Sequence, residues 1–505
     1  MTGARARRAT GLGACTILAL AATAPRAALA APPDGGYDLV PPYVVDVTQG
    51  PLLAPVRVTG LGGAYAGLAE GIAGLVTNAA TPAVRSPSAV RFVDVDLDAS
   101  LSKPVALFGK NDFANSGSVD TDYSDFLYLE AGAILQIGSF GVGFFGDLLR
   151  YGLDMGGRAT DVTLGRYHLL LAWTLLEGQL TLGGGARATT LGIGAADTAL
   201  TMLGAAPEVG ILVRPSWAPF RIGATYRNGV ATSASVGPGA SVDEHGTARA
   251  AGLVLPQRFV LPWEVEVGAA LQVGPRPLNP SWVDPGADER ALEARYATRR
   301  AARRAAIERQ LAFVADPASR DALRRTLLAD EAERAAADAV DLERDREDLA
   351  AERRARADNW PREHLLLLLE LLVTGAGPDA VHIEGFLGQG AGSATVAPAG
   401  TASPCRAVAS GERATFSPRV GVETEPVPQW LQMRFGSYLE ANRFRYEPES
   451  CTPGPGRLHL TFGADVRLFS TTFWDLVPPI TYKLGAYADL APRYQSFGLG
   501  VGVWH

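Results

Sequence analysis

Three aspartates at alternate positions, Asp94, Asp96 and Asp98, place like charges on a short extended run. On an extended strand they share one face with about 7 Å between neighbours. Such a row can hold a cation, or it can be neutralised by arginines of the preceding segment, such as Arg57 or Arg85. A second set is the glycine-rich run that begins at Gly60, Gly62 and Gly63. A dinucleotide fingerprint would need a third glycine where Tyr65 stands, and no clear strand precedes Gly60, so that chemistry is set aside. The six histidines are scattered, and no G-x-S-x-G, H-E-x-x-H or phosphate-loop pattern is present. A hydrolase would have to rest on a lone pair such as His168 with a serine. The expectation is therefore a protein that is not an enzyme, with no catalytic residue, no metal and no cofactor. Cys405 and Cys451 remain as a disulfide expectation in an oxidising compartment.

The elements that would position these residues are those of an exported β protein. Arg5, Arg7 and Arg8, an apolar run from Ala14 to Ala22 and the Ala28-Leu29-Ala30 end read as a secretory signal peptide over 1–30. Beyond it no apolar stretch reaches the ~20 residues of a spanning helix; Leu365–Val373 is the nearest, and Glu370 interrupts it. With 57 glycines and recurrent short alternating runs, the rest points to β structure with many turns. A net charge of −7 argues against a nucleic-acid partner.

A period of two recurs over segments of roughly ten residues, the length of a membrane-crossing strand. Val93, Val95 and Leu97 alternate with the three aspartates. Leu169, Leu171 and Trp173 oppose Arg166 and His168, Val265 and Val267 oppose Glu264 and Glu266, and Leu460 and Phe462 oppose His459. About fourteen such segments lie between Ala89 and His505, an even number that leaves both ends of the barrel on one side. Connectors at 138–139, 177–178, 215–218, 426–429 and 470–478 fall on the periplasmic side and are short, whereas 102–122, 231–256, 375–414 and 442–456 fall outside and are long. A transmembrane barrel of the bacterial outer membrane, in contact with outer-membrane lipid, accounts for that asymmetry; a soluble β-sandwich does not.

One periplasmic connector, 276–361, breaks the pattern. Rich in Ala, Arg and Glu, it reads as helices over Asp288–Ala315 and Ala318–Asp358, with Asp316-Pro317 as N-cap and first-turn proline of the second. Leu323, Leu327, Ala335, Ala339, Leu342 and Leu349 form a stripe near coiled-coil spacing. A solvated helical hairpin and an arm for a periplasmic or cell-wall partner are the two readings.

The stretch Gly60-Leu61-Gly62-Gly63-Ala64-Tyr65 resembles the start of the FadL/TodX family of outer-membrane transporters for hydrophobic compounds. That family opens on a G-M-G-G-A-F-x-A-x-A-D-D pattern that runs into Asn-Pro-Ala. Gly60, Gly62, Gly63, Ala64, Tyr65, Ala69, Glu70 and Asn78 fall in register with it, while Gly67 replaces an alanine and Ala79 the proline, with Pro82-Ala83 following late. Leu431–Tyr438 is similar to the family's late L-R-x-G-Y strand; the helical insert and the Trp504-His505 end are not covered.

The resemblance implies an N-terminal hatch inside the barrel, built here on Gly60, Gly62, Gly63, Tyr65, Glu70 and Asn78. It also implies a hydrophobic small molecule entering from outside and leaving sideways beside a kinked third strand. The third segment, Phe140–Arg150, supplies Gly143, Gly146, Asp147 and Arg150 as candidates for that kink, expected near Gly146.

Inward charges of both signs, among them Glu130, Glu208, Glu370, Glu423 and Asp465 against Arg166, Arg187, Arg227, Arg419, Arg434 and Lys483, predict ion-paired walls packed on a plug. The expected organisation is a signal peptide (1–30), a hatch (31–88), strands one to eight (89–275), the helical insert (276–361) and strands nine to fourteen (362–505). Passive uptake of a hydrophobic, fatty acid-like molecule is the leading function. A scaffold or secretion partner acting through loops and arm is the alternative.

Overall fold

The computed structural model describes residues 43–86, 91–105, 112–115, 122–155, 158–195, 198–232, 235–236, 241–242, 248–250, 253–280, 282, 284–377, 380–387, 389, 406–447, 456–473 and 477–504. The expected signal peptide and both expected disulfide partners, Cys405 and Cys451, lie outside the described residues.

Fourteen antiparallel strands close into a barrel. They are β1 Val93–Pro104, β2 Asp122–Ile137, β3 Phe140–Met155, β4 Arg158–Leu175, β5 Leu180–Ala195, β6 Thr198–Val213 and β7 Phe220–Arg227, then β8 Glu264–Val273, β9 Leu365–Thr374, β10 Thr415–Val427, β11 Leu431–Glu440, β12 Arg457–Phe473, β13 Val477–Ala491 and β14 Tyr494–Val503. Each pairs with its chain neighbours, and β14 returns to β1 from Asp98 opposite Gly502 to Pro104 opposite Ser496. Side chains alternate across the wall because the strand repeat is two residues. The outward set is apolar, with Val95 52% and Leu169 57% exposed, a surface suited to hydrocarbon rather than water. Trp217 and Trp430 stand exposed in inner-end connectors, where indole rings favour a membrane boundary.

The outer connectors are less uniform than expected. Those at 105–121, 228–263, 375–414 and 441–456 are long, but the β3–β4 ladder runs out to Met155 opposite Arg158, the β5–β6 ladder to Ala195 opposite Thr198 and the β13–β14 ladder to Ala491 opposite Tyr494, on strands that continue past the expected ten residues. β2 to β6 run 16 to 18 residues, β7 only 8, and β8 and β9 10 each. The wall is tall on one side and short on the other.

The short side is completed by a bend. Glu264 lies opposite Arg227 and Leu261 opposite Val230, so one register runs through β7–β8 and on into strands Val230–Thr232 and Arg258–Leu261. Between them, Pro262 cannot donate to a ladder, and Arg187 takes the carbonyls of Asn228 (3.0 Å) and Pro262 (2.6 Å). Above the bend the hairpin leaves the wall and joins a six-stranded lid sheet ordered 444–447, 406–410, 380–382, 44–46, 258–261, 230–232. Val44–Asp46 lies inside this sheet, parallel to both neighbours.

At the inner end the insert forms α1, Pro285–Ala312, and α2, Pro317–Asp358. Asp284 caps α1 by accepting from Gly286 N (2.9 Å), and Asp316 accepts from Ser319 N (2.8 Å) at the start of α2, the cap expected from sequence. Leu292, Tyr296, Ile307 and Leu311 of α1 are buried, and Arg303–Glu331 (2.8 Å), Arg295–Asp345 (2.8 Å) and Arg353–Glu289 (3.0 Å) bridge the helices. Leu323 and Ala339, assigned to the stripe from their spacing, are exposed and the other four are only half-buried; the buried residues of α2 include Glu331 and Asp338, which Arg303 of α1 draws into the seam. By its 42 residues at 1.5 Å each, α2 is an arm of roughly 60 Å.

Candidate functional site: a plugged lumen with two halves

Residues 53–86 fold inside the closed wall. A one-turn helix at Val56–Gly60 leads through Leu61–Gly63 to short 3-10 turns at Ile72–Val76 and Thr81–Ala83, and Val58, Leu61, Tyr65, Ala66, Ala69 and Asn78 are fully buried. Gly62 and Gly63 adopt left-handed backbone (φ +63° and +80°), which side chains other than glycine resist. The segment reaches strands all round the barrel. Gly60 lies against Gly463 of β12, Leu61 against Gly421 of β10, Gly67 against Gly268 of β8, Asn78 against Gly210 of β6 and Pro82 against Gly141 of β3. The small residues of the hatch thus meet small residues of the wall, and a Cβ at Gly141, Gly183, Gly223 or Gly436 would overlap hatch backbone. These wall glycines went unnoticed in the sequence; their signal was a glycine at an inward position of most strands.

Polar contacts fix the hatch in register. Glu370 of β9 accepts from Tyr65 N (2.8 Å) and Ala66 N (2.6 Å), and Arg419 beside it reaches Gly63 O (3.2 Å) and Glu370 (3.0 Å). Tyr65 Oη donates to Glu70 O (2.9 Å). Glu70 itself pairs with Arg221 (2.8 Å) and, at 3.5 Å, with Arg57. Asn78 Nδ2 donates to Ala66 O (2.9 Å) and Ile211 O (3.1 Å), and its Oδ1 accepts from Ala80 N (2.9 Å). Where the family pattern has proline, Ala79 uses the extra N–H, donating to Thr225 Oγ1 (3.0 Å). The departure from the pattern thus carries its own compensating bond.

Around this hatch the inner half of the lumen is a continuous ionic lattice. Arg57 and Arg434 share Glu423 (2.7 and 2.6 Å), Arg434 also holds Asp465 (2.9 Å), Arg227 holds Glu266 (3.0 Å), Arg187 holds Glu264 (2.7 Å), and His168 pairs with Glu208 (2.8 Å). The expected ion-paired wall is present, and His168 is one of its members. The aspartate row is neutralised differently from the expectation. Asp98 meets Lys483 (3.5 Å) and Asp96 accepts from Ile72 N (3.2 Å), while Arg57 turns to Glu423 and Arg85 donates to the carbonyls of Gly138, Arg91 and Phe92. Arg85 caps the β2–β3 turn instead of a strand face. At the inner mouth a solvent-open pocket is lined by Glu70, Asp94, Asp96, Arg276 and Lys483.

The outer half is apolar along the tall wall, whereas the opposite side carries a buried ionic cluster in which Arg457 and His459 both meet Glu440 (2.7 and 2.8 Å) and His459 also meets Asp489 (2.8 Å). The inward side chains of the tall wall, Leu149, Leu153, Val162, Leu164, Leu191 and Ile193, are apolar and buried. Tyr43, Val45, Phe259, Val381 and Phe386 of the lid pack on them in one cluster. A narrow apolar crevice remains between lid and wall, lined by Leu191, Met202, Val230 and Phe259.

The third strand carries no kink at its glycines. Gly143 pairs with Ile134 and Leu170, and Gly146 with Ala131 and Tyr167, in an uninterrupted ladder. Gly143 faces inward, where it makes room for Leu75 of the hatch, and Gly146 lies on the outer face between Phe144 and Leu148. Asp147 pairs inward with Arg166 (3.0 Å), and Arg150 pairs on the outer face with Asp161 (3.7 Å), so the two do not form a charge pair. The register shift of the β2–β3 pair falls instead on β2, between Ser124 and Leu127, where Asp125 takes φ +49°.

On the arm, outside the barrel, the hydrogen bond from Arg303 holds the Asp338 carboxyl below its ordinary range, and that from Ser319 does the same for Asp316.

No family model and no curated protein matches the chain. Among solved structures it is similar to a Pseudomonas aeruginosa FadL homologue (TM-score 0.44, 10% identity, covering 90% of this chain and 98% of that one). The CymD monoaromatic hydrocarbon channel (0.41, 8%, 89% and 96%) and the P. putida toluene transporter TodX (0.40, 9%, 88% and 96%) are also similar.

Proposed function

We infer that the chain is an outer-membrane channel for passive uptake of hydrophobic small molecules, with no chemical step of its own. The observation that carries this reading is the continuous apolar cluster between the tall wall and the lid. A barrel that conducts water and polar solutes has a polar interior, whereas Leu149, Leu153, Val162, Leu164, Leu191 and Ile193 give this side of the outer lumen an apolar lining, set apart from the ionic cluster of Glu440, Arg457, His459 and Asp489 across from it. A fatty acid-like molecule that enters past the lid partitions into this half, since each buried methylene is worth about 0.8 kcal/mol. Below it, hatch and ionic lattice fill the axis, and moving an apolar chain through them would desolvate charges, which favours a sideways exit into the bilayer.

Reconstituted in liposomes, the chain is expected to speed transfer of radiolabelled oleate, and Leu191→Asp to abolish the gain while the barrel still forms. Equal transfer by the two proteins would overturn the reading. The arm supports a second, compatible role. Phe313 at its tip is 90% exposed, an apolar contact point for a periplasmic or cell-wall partner. Deleting 285–358 is expected to leave oleate transfer unchanged.

A further inference from the structure

One level of the outer lumen differs between its two sides. Across β13, β14, β1 and β2 a single cross-strand row joins Tyr487, Gly498, Ser102 and Tyr128. The same row continues through Leu149, Leu164 and Leu191 of the tall wall. Polar and apolar inward faces meet at Tyr128, which together with Tyr494 also belongs to the apolar cluster.

The polar part of this level is incomplete. Gly498 has no side chain, and the Tyr487 ring lies over it, within 2.1 Å of where a Cβ would stand. The next row towards the inner end pairs Ser100 with Glu130, and the next towards the outer end pairs Ser496 with Asp489. Ser102 Oγ, Glu130 Oε2, Tyr487 Oη and Ser496 Oγ sit on residues no more than 5% exposed, and none has a hydrogen-bond partner among the described residues. Glu130 Oε1 is met by Ser100 Oγ, and no cation among the described residues pairs with this carboxylate, whereas Glu208, Glu264, Glu266, Glu370 and Glu423 each have an arginine. Leaving a buried polar group without a partner is costly, so these four point to an occupant. The hydroxyls donate or accept, but the carboxylate oxygen accepts, so the occupant has to donate. A carboxylate head cannot, and it would add a negative charge beside Glu130 and Asp147, register neighbours on β2 and β3. A cationic head would face Arg166, 3.4 Å from Tyr128 Oη, and Arg457, 5.0 Å from the Tyr494 ring. A neutral hydroxyl meets neither objection: it donates to Glu130 and accepts from Ser102 or Tyr487, while the leucines of the same row receive its apolar chain.

We propose that the patch formed by Ser102, Glu130, Tyr487 and Ser496 is a head-group site that takes the hydroxyl of a long-chain alcohol in preference to the carboxylate of a fatty acid. The proposal rests on the channel reading above and narrows its substrate class. Oleate is then the weaker passenger, held by its tail alone.

The full-length chain in detergent is given oleyl alcohol or oleate in mildly alkaline buffer, where oleate is ionised, and retention above that of protein-free micelles is read. Oleyl alcohol is expected to be retained about tenfold more than oleate, the difference that one hydrogen bond to a charged group makes. Glu130→Gln keeps the shape and removes the charge, so it is expected to raise oleate retention and bring the ratio towards unity. Tyr487→Phe is expected to lower retention of the alcohol about threefold, as loss of a neutral hydrogen bond allows, and to leave oleate unchanged. Equal retention of the two by the unmodified chain overturns the head-group site, and so does a parallel fall of both in Tyr487→Phe, which is what a merely structural hydroxyl would give. Should the Glu130→Gln barrel not assemble, Tyr487→Phe decides alone. If the unmodified chain retains neither molecule, the channel reading itself fails.

Discussion

The two halves of one lumen are sealed by opposite physics. The inner half is closed by charge: Arg57, Glu423, Arg434 and Asp465 interlock around a hatch whose backbone lies on wall glycines. On the tall-wall side the outer half is closed by packing of Tyr43, Val45 and Phe259 against Leu149, Leu164 and Leu191, and its charges are confined to local clusters, Glu440 with Arg457 and His459 and Asp46 with Arg443. Charged pairs resist partial opening, because a charge left alone inside the barrel is costly, whereas apolar contacts can be exchanged for those of an apolar guest at little cost. On the proposed function, a lumen made this way would take a hydrophobic molecule into the apolar side of its outer half and refuse it the axis.

The contrast can be broken most severely in the inner half. Arg434→Met leaves Glu423 and Asp465 short of a buried partner and is expected to cost about 3–5 kcal/mol in urea unfolding of the barrel in micelles. A cost under about 1 kcal/mol would mean that the lattice does not hold the hatch. Next, Gly183→Val places a side chain where hatch backbone runs at Ala79 and Ala80, so the hatch should be displaced and planar bilayers should show a large ionic conductance absent from the unmodified chain. A closed barrel in that variant would argue against the hatch as the seal. In the outer half, Met202→Ala enlarges a crevice that already exists, with an expected loss near 2 kcal/mol and oleate transfer at least as fast as before.

The smallest effect belongs to the arm. Asp338 and Asp316 have lowered folded-state values, so their contribution is complete above the ordinary aspartate range and is lost as pH falls through the lowered values. Helical signal of the isolated 285–358 hairpin should fall in acid and be regained on neutralisation; a flat profile would remove these hydrogen bonds from its stability.

Much of the architecture was legible because it is written locally. Alternation at Val93–Leu97 or Leu365–Val373 fixes which face meets lipid, one residue at a time, and the count of such runs fixes parity and the side of every connector. Asp316-Pro317 marked a helix start for the same local reason. What depended on neighbours distant in the chain was not legible. Arg57 and Arg85 were near in sequence to the aspartate row, but barrel register brought Lys483 to Asp98. Gly143 and Gly146 looked alike, yet one receives Leu75 of the hatch and the other faces outward in an unbroken ladder.

By itself, then, the sequence determined a strand period, a strand number, a charged and glycine-rich segment for the lumen and a helical arm at one inner turn, because each follows from side chains within a few residues of one another. Only the tertiary structure decided which charges pair, which glycines face the hatch, that Val44–Asp46 threads the lid and that the β7–β8 hairpin bends off the wall. Those outcomes are set by closure of the barrel, which brings side chains hundreds of residues apart to within bonding distance.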